Sequence, residues 1–301
     1  MKAAVVEKYG KPEGLKIVDV EKPIAQPNEI LVKVHATTVT FGDAWLRRMK
    51  LPGRLVFGIF MGGLGKGKIL GHEFAGEVEA IGDEVTRFEI GDEVFGSAGM
   101  KGGTYSEYIS VAEERMVVSK PNNISFEEAA AVPIGGNTAL HILKTIEIEP
   151  GQKVLVNGAS GSVGTYALQL AKHYGAKVTG VCGTTNLEWV RNLGCDHVID
   201  YTQSDFTTNG EKYDVIFDTV RKLSNSKVEE SLSENGTFLS TSSSTNESVE
   251  NLQFLKELIE AGKVKPVIDR TYSLDDIVEA HRYVDSGHKK GNVVVKIERA
   301  V

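Results

Sequence analysis

Residues 153–182, KVLVNGASGSVGTYALQLAKHYGAKVTGVC, leave the chain few ways to fold. Lys153 to Asn157 is a short apolar run, the pattern of a strand buried on both faces. It breaks at Gly158-Ala159-Ser160-Gly161-Ser162-Val163-Gly164, after which apolar residues recur at Val163, Ala167, Leu170, Ala171 and Tyr174 along one helical stripe. Gly175 stands where a helix ends on a left-handed residue, and Lys177 to Cys182 resumes as a strand. Glycines let a backbone approach a ligand closely, and a helix N-terminus offers unpaired N–H groups with partial positive charge, so this turn suits a phosphate. A glycine turn that serves packing alone is the plainer reading. The strand before, the helix after and the returning strand favour the dinucleotide reading. The spacing, G-x-x-G-x-x-G, is one residue longer than the commonest form of that turn.

Either side of this unit the pattern differs. Up to about residue 120 the chain reads as short strands: Ala3 to Glu7, Leu15 to Glu21, Ile30 to Thr37, Glu73 to Ile81, Glu93 to Phe95 and Thr104 to Val111. Gly82-Asp83 and Gly91-Asp92 punctuate them, which suggests a small, partly open barrel. Leu51 to Lys68 fits neither period. It reads as an apolar, glycine-cut loop, either packed on the barrel or walling a substrate pocket, and the second is favoured. From Ser125, where Ser125 and Glu128 form a capping-box pair, helices alternate with strands. The helices are expected near 186–193, 223–232 and 249–261, the strands at 197–200, 215–218 and 237–240. That alternation means a parallel, doubly wound sheet, so the fold class is α/β. The tail is expected to be extended over 267–272, helical from a Ser273 cap to Ser286, and a strand over 292–297 that rejoins the first domain.

Composition narrows the function. A net charge of −7 provides no basic footprint for nucleic acid. Apolar runs such as 55–61 are far too short to span a bilayer, and the N-terminal residues lack signal-peptide architecture, so no membrane partner and a cytoplasmic location are expected. The two cysteines, Cys182 and Cys195, form neither a disulfide framework nor a C-x-x-C pair.

Taken together, the motifs resemble the medium-chain dehydrogenase/reductase superfamily, in its zinc-independent quinone-oxidoreductase-like branch. The residues that carry the resemblance are Gly71-His72-Glu73-Phe74-Ala75-Gly76, Gly91 to Gly96, Ala129 to Pro133, Gly158 to Gly164, Asp200-Tyr201, Tyr213 to Asp218, His281 and Gly291 to Val294. The resemblance implies a GroES-like catalytic domain, residues 1–122 with 268–301 returning to it, and a Rossmann dinucleotide-binding domain, residues 123–267. It places an active site in the cleft between them and hydride transfer from a nicotinamide coenzyme. By position, Gly158, Ala159, Ser160, Gly161, Ser162, Val163 and Gly164 would hold the pyrophosphate. Thr138 would lie near the nicotinamide and Tyr201 by the adenosine, and Asn292 is a further cofactor-binding position.

The zinc-dependent branch binds its metal through Cys, the His-Glu of the GHE motif and a second Cys. Here the first position is Thr40, and residues 1–181 hold no cysteine. One imidazole and one carboxylate do not complete a tetrahedral zinc site. His72 and Glu73 therefore read as a buried polar pair, and no metal is expected. NAD-dependent members place an acid at the end of the second strand. Here the segment is Cys182-Gly183-Thr184-Thr185-Asn186, so NADP(H) is favoured over NAD(H). Gly183, Thr184, Thr185, Asn186 and Tyr201 would lie at the phosphate, with Arg191 or Lys289 supplying charge. Thr40 and Asp43 match positions at the nicotinamide end, Thr40 as a donor to a developing enolate and Asp43 as a structural residue. Trp45 replaces a tyrosine and Arg221 a glycine of relatives. The segment 242–248 is too short for the sixth Rossmann strand that commonly builds the dimer, which puts a homodimer in doubt. The activity implied is zinc-free, NADP(H)-dependent reduction of a quinone or α,β-unsaturated carbonyl. The alternatives are a zinc-type alcohol dehydrogenase and a non-catalytic NADP(H)-binding regulator.

Overall fold

The computed structural model describes residues 1–60, 63 and 65–297; the side chains of residues 57, 59 and 60 lie outside the description. Strands β1 (Lys2–Val6), β2 (Leu15–Asp19) and β3 (Glu29–Thr38) lead into helices α1 (Phe41–Arg48) and α2 (Leu51–Phe60). Strands β4 (Lys68–Ile69), β5 (Glu73–Ile81), β6 (Glu93–Ser97), β7 (Tyr108–Ala112) and β8 (Val117–Ser119) follow, then helices α3 (Phe126–Ala130) and α4 (Pro133–Leu143). Next come β9 (Lys153–Asn157), α5 (Ser162–His173), β10 (Lys177–Cys182), α6 (Leu187–Asn192), β11 (His197–Asp200), β12 (Tyr213–Asp218), α7 (Asn225–Ser231) and β13 (Leu232–Ser240). The chain ends through α8 (Val249–Glu260), β14 (Ile268–Ser273), α9 (Ile277–Asp285) and β15 (Asn292–Lys296). No helix among the described residues is long and apolar enough to cross a membrane.

The chain divides into two compact units, the first formed by 1–134, 247–256 and 268–301, the second by 135–246 and 257–267. In the first unit, β3 pairs antiparallel with β5, β7 and β15. It is buried along most of its length, as a strand with neighbours on both edges must be. Phe74, Tyr105, Leu15, Ile30 and Leu70 close the core beside it. Each such side chain contributes about 1.5–3 kcal/mol by leaving water.

The second unit is one parallel sheet of order β11-β10-β9-β12-β13. Read in strand sequence this is 3-2-1-4-5, the doubly wound order, with the chain reversing direction beside β9. Beyond Ser240 the described chain runs through turns into α8 and adds no sixth strand to this sheet. β13 starts at Leu232, earlier than the period suggested, because Tyr213 pairs with Leu232 before a shift in register.

Two stretches fold differently from their sequence pattern. Residues 51–60, read as a loop, form α2, whose Leu55 and Val56 stay exposed. Pro52, Gly53 and Gly58 are poor helix formers, so the local sequence does not announce a helix here. Within that stretch the side chains of Phe57, Ile59 and Phe60, like Met61 entirely, lie outside the described residues. The expected strand over 104–111 is shortened to Tyr108–Ala112, since Thr104 and Tyr105 are taken into the core before it begins.

Candidate active site: a buried polar cluster and a nucleotide turn

In the first unit the chain leaves β3 at Thr38 and enters α1 through a capping box. The Thr40 hydroxyl accepts a hydrogen bond from Asp43 N (3.1 Å), and Asp43 Oδ2 accepts one from Thr40 N (2.8 Å). Thr40 Oγ1 also donates to Asp43 Oδ2 at 2.6 Å. That bond uses the hydroxyl's only hydrogen, so in this arrangement Thr40 has none to offer a substrate.

Asp43 is fully buried and does more than cap. Its Oδ1 accepts from Gly71 N at 3.2 Å and meets His72 Nδ1 at 2.6 Å. Burial alone would raise the Asp43 pKa, but the charge on His72 and hydrogen bonds from His72 and Thr40 outweigh it and hold the carboxyl low. His72 feels the converse: burial pulls it down, while Asp43 first, then Glu73 and Glu247, draw its pKa above the usual imidazole value. Gly71 makes this geometry possible. Its φ is +86°, and a Cβ there would stand 2.3 Å from Thr104 Oγ1 and 2.5 Å from the Tyr105 ring.

The expected His72–Glu73 pair does not form. His72 lies just ahead of β5 and Glu73 opens it, and the two side chains bond different partners, His72 taking Asp43 and Glu73 taking Thr38 and Ile134. The Glu73 carboxyl takes hydrogen bonds from the Thr38 hydroxyl and from Ile134 N at 2.6 Å. Burial pushes its pKa up to about 7, against the lowering effect of those two donors and of Lys289. The Lys289 ammonium bonds Gly291 O at 2.6 Å, and burial brings it down to about 8. Asn292 is buried at the start of β15. On the far side, Arg47 is wholly buried and donates to His281 Nδ1 (3.2 Å), Gly10 O and Asp285 (2.5 Å). Burial pushes His281 down to about 4. Its ring lies edge-on to Tyr105, whose buried hydroxyl has no hydrogen-bond partner of good geometry among the described residues.

The donors for zinc do not converge. His72 is turned onto Asp43 and Glu73 onto Thr38 and Ile134. Among the described residues no group of three His, Cys, Asp or Glu side chains is placed to hold a metal ion. Cys182 and Cys195 belong to the second unit, where burial raises their pKa values to about 11 and about 12.

In the second unit β9 ends at Asn157 and the glycine turn opens α5, whose N-cap, Gly161, makes no side-chain capping bond. Gly158 has φ +82°, and a Cβ on it would lie 2.5 Å from Val220 Cγ1 and 2.7 Å from Thr219 Oγ1. A Cβ on Gly164 would lie 2.1 Å from Gly158 O. Ala159 is buried beneath the turn, while Ser160, Gly161, Ser162 and Val163 are half-buried along it. The loop after β12 is held against Gly158. Asp218 receives Asn157 Nδ2 (2.9 Å) and the backbone N–H groups of Val220, Lys222 and Leu223. Thr219 Oγ1 donates back to Asn157 O at 2.8 Å. Arg221 is the one described non-glycine residue with positive φ, +57°, and this explains the glycine of relatives. Its guanidinium binds Thr241. Thr138 lies half-buried on α4.

At the end of β10 the structure brings Gly183, Thr184 and Tyr201 together; the Tyr201 hydroxyl lies 3.5 Å from where a Gly183 Cβ would be. Thr185 and Arg191 are exposed, and Asn186 accepts from Trp189 Nε1 at 3.1 Å. Lys289 belongs to the other unit. One residue named in the sequence motifs, but given no role there, stands here. Asp200, at the end of β11, accepts from the Thr184 hydroxyl (2.6 Å) and from Thr202 N and Oγ1 (2.9 and 2.7 Å). No acid ends the second strand, but the parallel register sets Asp200 directly beside Cys182.

The alcohol dehydrogenase GroES-like domain family matches residues 26–122, and the zinc-binding dehydrogenase family matches 193–249 and 241–295. A 2-methylene-furan-3-one reductase of Solanum lycopersicum is 33% identical over 324 aligned residues, covering 98% of this chain and 79% of its own. The chain belongs to the medium-chain dehydrogenase/reductase superfamily, in its quinone-oxidoreductase-like branch. An NADPH-dependent alkenal/one oxidoreductase of Arabidopsis thaliana is likewise 33% identical, with the same coverage of both chains. The quinone oxidoreductase structure from Coxiella burnetii superposes with a TM-score of 0.85 at 27% identity, over 99% of each chain. As a member of the superfamily the protein is an oxidoreductase that uses a nicotinamide coenzyme. Its first unit carries the GroES-like domain and its second the Rossmann-like sheet.

Proposed function

We propose that this protein reduces an α,β-unsaturated carbonyl compound or a quinone with NADPH, without a metal. The observation that carries the reading is the cradle at residues 158–164. It lies on the central strand of the parallel sheet, is kept free of side chains at Gly158 and Gly164, and opens on an α-helix N-terminus. A pyrophosphate would rest on that turn, against the positive end of the α5 dipole. When bound, the coenzyme supplies hydride. The protein then aligns donor and acceptor and stabilises the charge that develops. Relatives named for alkenal and furanone reduction support an enone acceptor, and those named quinone oxidoreductase support a quinone.

Absence of zinc is supported by the donor chemistry: His72 and Glu73 serve separate partners, and Thr40 stands where a thiolate would be needed. Preference for NADPH rests on the missing acid at the end of β10, with Thr184, Thr185, Asn186 and Tyr201 around the proposed 2′-phosphate. Steady-state oxidation of NADPH and NADH against a panel of enones and quinones tests the reading. Turnover with NADPH on at least one class is expected, without response to chelators. No turnover on any acceptor, or activity only after zinc is added, would overturn it.

A further inference from the structure

Hydride addition to an enone leaves negative charge on the acceptor, and a proton must follow. The residue expected to meet that charge, Thr40, has its single hydrogen on Asp43 Oδ2 at 2.6 Å. The polar chain does not stop there. It runs from Thr40 through Asp43, which is wholly enclosed, to Nδ1 of His72, whose side chain is 16% exposed. Nδ1 is tied down and Nε2 has no hydrogen-bond partner among the described residues. A side chain at position 102 would begin 3.7 Å from Nε2, so Gly102, at φ +64°, keeps that edge of the ring clear. A buried carboxylate on one ring nitrogen and an open second nitrogen is how an imidazole is oriented for proton transfer.

We propose that His72 is the proton donor of the reduction, with Asp43 its positioning residue and Thr40 the residue that positions Asp43. This rests on the reductase reading above. The bound coenzyme would supply hydride and be oxidised to the nicotinamide; with the new C–H bond at the β-carbon, the π electrons of the C=C bond move to leave an enolate. The Nε2–H of His72 then breaks, its proton passes to the enolate, and the bonding pair stays on the now neutral ring. Asp43 remains a carboxylate throughout, and His72 regains its proton from water at its exposed edge. The charged groups facing the ring are Asp43 from α1, Glu73 next to it in the chain and Glu247 from the segment before α8. All three raise the pKa of the ring, Asp43 most, while Glu73 itself ionises only near 7.

The test uses the full chain with an enone that the unmutated protein reduces. His72→Asn keeps a nitrogen donor near Asp43 and removes the acid. It is expected to lower kcat by about a hundredfold, with NADPH binding, followed by fluorescence, unchanged. In the unmutated protein, kcat should fall as pH rises through the His72 pKa, read separately by NMR titration of its ring in the protein without coenzyme. In Asp43→Asn both midpoints should move down together. A pH-independent kcat across that titration, or a His72→Asn protein within about threefold of the original, would overturn the role of His72 and leave the reductase reading standing. No enone turnover by the unmutated chain would overturn both.

Discussion

Asp200 is a single carboxylate with two consequences for the coenzyme. It holds the Thr184 and Thr202 hydroxyls, and those bonds keep its own pKa low, so it is charged at neutral pH. A charge beside the proposed 2′-phosphate repels it and so weakens NADPH more than NADH. Asp200→Asn is therefore expected to tighten NADPH about fivefold relative to NADH, measured as the ratio of dissociation constants. If the variant instead weakens NADH selectively, Asp200 holds the ribose hydroxyls and the preference for NADPH is reversed. The same residue shows a limit of reading along the chain. It lies 18 residues after Cys182 and becomes its neighbour only through the pairing of β10 with β11.

Among the elements, the β9–turn–α5–β10 unit is where local pattern and structure agree residue for residue, both strands having the bounds their apolar runs suggest. A turn packed this closely tolerates no side chain. Gly158→Ala combines a left-handed backbone with a collision against Thr219 and Val220. It should displace the loop after β12 and abolish measurable coenzyme binding, at a cost to stability of about 1–3 kcal/mol. Calorimetric titration with NADPH alongside thermal unfolding checks both; unchanged affinity would remove the turn from the coenzyme site. Helix α1 is the opposite case. Its sequence carries a Thr-x-x-Asp cap at Thr40 and Asp43 that the sequence analysis did not use, and only two of its four buried residues, Ala44 and Leu46, are apolar. Asp43 and Arg47 occupy the inward face as members of the buried polar cluster, so the hydrophobic stripe that announces a helix is broken.

At the scale of the whole molecule, the buried ionisable groups make folding depend on pH in two opposed ways. Glu73 ionises near 7 in the folded chain and near 4.5 when unfolded. Between those values the unfolded chain holds fewer protons, so stability falls as pH rises, by about 3 kcal/mol in all at 1.36 kcal/mol per unit. His281 is kept neutral down to about 4 in the fold but protonates near 6.5 in the unfolded chain, so its contribution is lost as pH falls from 6.5 towards 4. Glu73→Gln removes the first effect and leaves the second. Its melting temperature should match the original near pH 5 and exceed it near pH 8; parallel curves across that range would show that Glu73 ionises normally.

The sequence by itself determined what depends on neighbours along the chain: the glycine turn, the caps at Ser125 and Ser273, and the alternation that makes the second unit a parallel sheet. Family likeness in the motifs followed from the same residues. Only the tertiary structure decided who partners whom across long separations. Asp43 takes His72, 29 residues away, Glu73 takes Thr38 and Ile134, and Arg47 meets His281 across 234 residues. The physical reason is that a periodic pattern reports only which face of an element is buried. A buried polar group is satisfied by whatever donor the fold brings within about 3 Å, and that donor carries no mark in the chain.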